Sequence, residues 1–155
     1  MNLASISENK DREKRIAVTP EIAKKYISLG FNLSLPSNYG SHLGFSDEEY
    51  KSFGVNLLDS EEELIKNSDI IVQLGLLSDE KLPLLKENQT LIGSLNVFSN
   101  KEKLDNLKSK KINCFSLELL PRITRAQSMD ILSSQANLAG YKAVIEAFQV
   151  YERAC

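Results

Sequence analysis

Residues 55–76 read VNLLDSEEELIKNSDIIVQLGL, and the succession of patterns in this stretch decides the class of fold. Val55–Leu58 is strand-like, Ser60–Lys66 is a short helix that starts acidic, and Ser68–Leu76 holds the strongly apolar strand Asp69-Ile-Ile-Val-Gln-Leu. Short connections between strand and helix leave little room for anything but a repeating strand–helix unit.

The same unit recurs on both sides. Toward the N-terminus, Asn2–Ser7 reads as a first strand, and Thr19 stands at the N-cap of a helix that Pro20 opens. Ile22, Ala23, Tyr26, Ile27 and Leu29 give that helix its apolar face, and Gly30 ends it. Asn32–Leu35 is a short strand stopping at Pro36, Ser37–Gly44 is a loop, and Ser46 caps a helix through Phe53 with Glu49 completing a capping box. Toward the C-terminus, a helix at Ser78–Leu85, a strand at Thr90–Leu95, a helix at Asn100–Ser109 and a strand at Ile112–Leu117 follow. Six strands alternating with six helices predict a Rossmann-like, three-layer α/β fold: a mostly parallel sheet with helices on both faces. No linker or repeat interrupts it, so the chain reads as one domain. The Gly-x-Gly-x-x-Gly turn that cradles a dinucleotide phosphate is absent; Gly75 and Gly93 are isolated.

Composition narrows the function. With 155 residues, 42% hydrophobic and 26% charged, the chain can bury a real core. A net charge of −2 without a long single-sign block argues against nucleic acid as a partner. No apolar run approaches the ~20 residues that span a bilayer, and the charged start has no secretory signal core. Cys114 and Cys155 read as reduced thiols of a cytoplasmic protein. His42 is the only histidine, read as a solvated loop residue, and no metal site is expected.

The last stretch, Pro121–Val150, is PRITRAQSMDILSSQANLAGYKAVIEAFQV. Met129, Leu132, Ala136, Ala139, Ala143, Ala147 and Val150 recur at helical steps and predict a buried stripe. Asp130, Ser133 and Asn137 lie on a different face, with Gln127 just ahead, as a row of small hydrogen-bonding groups. Plain structural roles fit them too. Thr124-Arg-Ala-Gln127 has capping-box spacing, Asp130 suits a helix dipole, Ser133 a solvated face, and Arg122 a surface charge.

Arg122-Ile-Thr-Arg-Ala-Gln-Ser-Met-Asp130, continuing to Tyr141, closely resembles the signature loop of the NAD-binding component of proton-translocating nicotinamide nucleotide transhydrogenase. Lys14-Arg-Ile-Ala-Val-Thr-Pro20 resembles a motif which that component shares with alanine dehydrogenase, and Gly40–Tyr50 and Asp69–Gln73 look like the same shared domain. The resemblance implies the first of two subdomains around a cleft, ending at Tyr151–Cys155 in the helix that leads to an NAD-binding Rossmann subdomain. It implies that Arg122, Gln127, Asp130 and Ser133 face the nicotinamide of NAD(H), with Gln127 and Asp130 closest to the chemistry. It further implies NADP(H) on a partner component, a membrane proton channel, a homodimer, and peripheral association with the inner membrane through those partners. Alanine dehydrogenase needs a lysine where this chain has Gln73 and a histidine where it has Asn96, which disfavours that activity and leaves Arg15 as an ion-pair partner. Two alternatives stand beside the transhydrogenase reading: a non-catalytic interaction or dimerisation module, and an amino-acid dehydrogenase relative without its cofactor domain.

Overall fold

Tertiary structure is taken from a computed structural model, which describes residues 1–153, so Cys155 lies outside the described residues. The chain divides into two compact units, Met1–Ser116 and a second beginning at Leu117. The first contains six strands: β1 (Asn2–Ala4), β2 (Asn32–Pro36), β3 (Asn56–Leu58), β4 (Ile70–Val72), β5 (Thr90–Gly93) and β6 (Asn113–Ser116). They form one sheet in the order β3-β2-β1-β4-β5-β6, and every pairing is parallel. Register follows the apolar pattern, with Leu3 beside Leu33 and Ile71 beside Leu91.

Four helices connect the strands, α1 (Pro20–Ser28), α2 (Asp47–Ser52), α3 (Glu61–Asn67) and α4 (Lys101–Ser109). Their starts are set by the expected caps. Thr19 accepts the Ile22 N–H, Ser46 that of Glu49, and Ser60 that of Glu63. Gly30 and Gly54, at φ of +85° and +86°, make the left-handed turns that end α1 and α2. Alternation along the strands sends neighbours into two cores. Leu3, Leu33, Leu35 and Val55 pack with Val18, Ala23, Tyr39 and Tyr50. On the other side, Ala4, Ile71 and Leu91 pack with Leu64, Ile65 and Leu107. Helices therefore cover both faces, as the alternating sequence requires.

Several expectations are corrected. The helix at Ser78–Leu85 is only a 3-10 turn at Leu82–Leu84, because Pro83 has no N–H to donate and Leu85 is already extended. Pro36 does not stop its strand but pairs with Leu58 as the last residue of β2. Cys114, read as part of an apolar strand, is exposed on the edge strand β6. His42, although exposed, bonds through Nε2 to the Lys14 carbonyl at 2.7 Å.

The second unit consists of 3-10 turns at Leu117–Leu119 and Thr124–Met129 followed by α5, Ile131–Val150. Tyr151, expected inside a continuing helix, is the C-cap. None of the 20 residues of α5 is buried, and Met129 and Leu132 are 52% and 42% exposed. The predicted stripe is present as a helical face but is not core. Periodicity tells which residues share a face, not whether anything covers it.

Candidate functional site

Strand succession reverses between β1 and β4, where the chain runs outward to β3 on one side and to β6 on the other. Such a switch point leaves a crevice at the carboxyl ends of the strands, the usual ligand position in open parallel sheets. Here a pocket of about 790 Å³ opens, lined by Ile6, Ser7, Glu8, Glu61, Gln73 and Lys81 among others.

Its polar groups are largely engaged with one another. Gln73, only 5% exposed, accepts the Ser5 hydroxyl and the Ile6 N–H through Oε1, each at 2.8 Å. With the Ser5 proton spent on Gln73, the Tyr39 hydroxyl donates to Ser5 Oγ at 2.8 Å and accepts the N–H groups of Ala17 and Val18. Burial pushes the Tyr39 phenol up, against the hydrogen bonds from Ser5 and those two amides. Gln73 Nε2 donates to Glu8 Oε1 at 3.3 Å, and the same oxygen accepts the Leu74 N–H at 2.9 Å and the Gly75 N–H at 3.4 Å. Those amides stand where a parallel strand end offers its N–H groups to an anion, and the protein's own carboxylate takes them. Glu61 is held by the Ser7 N–H at 3.0 Å and by Lys81 at 2.6 Å. Burial pushes its carboxyl up, but Lys81 and Ser7 outweigh that and hold it below the usual range.

Gly93, at the end of β5, serves close packing. A Cβ there would stand 2.5 Å from the Gln73 carbonyl oxygen. Asn96 is exposed with φ of +49°, and its carbonyl accepts the N–H groups of Ser99 and Asn100. Arg15 pairs with Glu13 at two points, Nε to Oε1 at 2.8 Å and Nη2 to Oε2 at 2.6 Å. The crevice thus presents neither lysine nor histidine at the Gln73 and Asn96 positions, and Gln73 is spent on holding β1 to β4. Sequence reasoning missed Ser5, Glu8, Tyr39 and Glu61. The available signal was Ser5 and Gln73, two polar residues standing inside apolar strand runs.

The second candidate lies in the second unit. Asp130 is the N-cap of α5: one carboxylate oxygen accepts the N–H groups of Leu132 and Ser133, each at 3.0 Å, and the other the Ser133 hydroxyl at 2.6 Å. Arg122 Nε stands 3.9 Å from that second oxygen. The Ser133 hydroxyl leads, followed by its amide, in holding the Asp130 carboxyl below the usual range; Arg122 and the Leu132 amide add to them. The capping-box expectation for Gln127 is therefore corrected. The 3-10 turn Thr124–Met129 has no side-chain cap, Asp130 performs that task one turn later, and Gln127 is exposed. Arg122, Asp130 and Ser133 are brought together; Gln127 joins them through its backbone, its carbonyl accepting the Asp130 N–H at 3.3 Å.

Arg122 is 67% exposed on its side chain and Asp130 17%, so the cluster offers an arginine fork beside a held carboxylate and hydroxyl. A flat amide carries one acceptor and two donors, which this set complements. No described helix is long and apolar enough to cross a membrane.

Fold and site together define a doubly wound, all-parallel α/β domain whose strand-end anion position is filled by its own carboxylate, with a separate polar loop at the start of a long helix. Residues 5–139 match the family model described as alanine dehydrogenase/PNT, N-terminal domain, and the chain belongs to that family. It is similar to the first portion of NAD(P) transhydrogenase subunit alpha of Rickettsia prowazekii, 37% identical over 99% of this chain and 41% of that protein. The corresponding protein of Rhodospirillum rubrum is 35% identical over the same shares. The crystal structure of transhydrogenase from Sinorhizobium meliloti superposes with a TM-score of 0.87 at 35% identity, covering 97% of this chain and 46% of that one. The chain spans about two fifths of the length of the curated relatives it matches.

Proposed function

We propose that this chain is the portion of an NAD(P)+ transhydrogenase that presents Arg122, Gln127, Asp130 and Ser133 to the nicotinamide of NAD(H). In that enzyme hydride passes between NAD(H) and NADP(H), the latter on a partner component, while membrane partners move protons. The observation carrying the reading is the Arg122–Asp130–Ser133 cluster at the start of α5. Hydride transfer needs no acid or base from the protein, only two rings held in contact with the right faces opposed. Arg122 donates to the carboxamide oxygen, and the Asp130 carboxylate accepts from its NH₂, with Ser133 holding that carboxylate in place. Gln127, exposed and able to donate and accept, takes a ribose hydroxyl. The dinucleotide phosphates belong to a separate Rossmann subdomain, since the strand-end amides of this sheet are already taken by Glu8. With that subdomain absent, the chain alone should bind NADH weakly.

The test is a chimera in which this chain replaces the matching segment of the Rhodospirillum rubrum alpha-subunit protein, assembled with its partner components. Stopped-flow hydride transfer should be present in the chimera and fall about 10²-fold in Gln127→Asn, which withdraws the amide by one methylene, while NADH binding changes little. An undiminished transfer rate in that variant removes Gln127 from the site.

A further inference from the structure

We propose that the face of α5 carrying Leu138, Tyr141, Ile145 and Phe148 is a self-association surface that pairs antiparallel with the same helix of a second copy of this chain. Those four residues step by three, four and three, the spacing of a two-helix seam. They are between 43% and 70% exposed, although an isolated helix with this face has no reason to leave it in water. Val144 and Tyr151 extend the apolar sector along one margin, where they form, with Ala147 and Phe148, a groove of about 320 Å³.

The arrangement of sizes favours the antiparallel partner. Positions 138 and 148, and positions 141 and 145, are symmetric about residue 143. A two-fold antiparallel pair therefore sets Leu138 against Phe148 of the second copy and Tyr141 against its Ile145. Every layer then combines one aromatic ring with one branched aliphatic side chain, and the two Val144 margins meet. A parallel pair would instead stack like on like and lay Val144 against Gln149, apolar on polar. The Lys142 margins also meet in the antiparallel pair, each ammonium held by its own Glu146 within the helix.

The apolar face offers roughly 600 Å² per chain, so a pair would bury about 1,200 Å², the lower edge of specific interfaces. A dimer of micromolar rather than nanomolar affinity follows. This surface rests on α5 itself and not on the loop meeting a nucleotide, so the two proposals stand or fall separately.

Sedimentation velocity tests it over a hundredfold concentration range around the micromolar. The chain should pass from monomer to dimer, Ile145→Glu should stay monomeric throughout, and Ala139→Glu on the small-residue stripe should dimerise as before; circular dichroism checks that both variants keep α5. In a background with Cys114 and Cys155 replaced by serine, a mixture of Leu138→Cys and Phe148→Cys chains should cross-link to each other. A monomer at every concentration, equal loss of association in Ile145→Glu and Ala139→Glu, or cross-linking only between identical cysteine variants would overturn the proposal.

Discussion

Gln73→Leu tests the network at the switch point most directly. Leucine has nearly the volume of glutamine, so the change removes hydrogen bonds while creating little cavity. Two donors lose their acceptor at once, the Ile6 N–H and the Ser5 hydroxyl, each bonded to Gln73 Oε1 at 2.8 Å. Ser5 keeps its contact with Tyr39, but that oxygen already accepts two backbone amides. A stranded buried donor costs about 1–3 kcal/mol, and two cost about 2–5 kcal/mol after allowing for partial relaxation. Greater apolarity of leucine returns roughly 1 kcal/mol. The net loss should be about 2–4 kcal/mol, a large share of the ~5–15 kcal/mol that holds an ordinary domain together. Urea denaturation followed by circular dichroism measures it, with the slope checked for an unchanged transition. A loss below about 1 kcal/mol would show that water or a rotated Ser5 satisfies these groups, and the network would lose its structural role.

Further outcomes follow from other regions of the fold. Gly93→Ala should lower the melting temperature by several degrees, since its Cβ would meet the Gln73 carbonyl at 2.5 Å and the backbone must shift; thermal scanning would detect it. Leu132→Ala should change the denaturation midpoint by less than about 1 kcal/mol equivalent, because this side chain is 42% exposed rather than core. Burial, then the charges of Tyr39, Glu49 and Asp47, raises the Tyr50 phenol, so its contribution is present below about pH 10, the unfolded phenol's value, and is lost as pH rises beyond it. Tyrosinate absorbance should therefore include a late phase coincident with alkaline unfolding, and Tyr50→Phe should remove some of that phase.

The candidate loop shows how local and tertiary information divide. The residue types in 122–133 marked a polar recognition surface, but capping-box spacing pointed equally to a structural duty for Gln127. Only coordinates placed the cap on Asp130, since the alternatives differ by where the first helical turn closes, and Thr124 and Asp130 both carry a side-chain oxygen fit to cap it. Gln73 shows the converse. Sequence marked it as the wrong residue for a keto-acid site but could not show that Ser5, Tyr39 and Glu8 converge on it, because these residues lie 68, 34 and 65 positions away.

Alternation of short strands with capped helices, read from sequence, determined the parallel α/β architecture. Strand pattern and caps are local and survive any packing, as all six strands and the caps at Thr19, Ser46 and Ser60 attest. Tertiary structure decided which apolar faces are core. The helix at 131–150 has apolar residues enough for a buried element, yet none is buried, while the less hydrophobic α3 buries Leu64 and Ile65. Burial is a property of what stands opposite a face, and a single chain's periodicity carries no information about that neighbour.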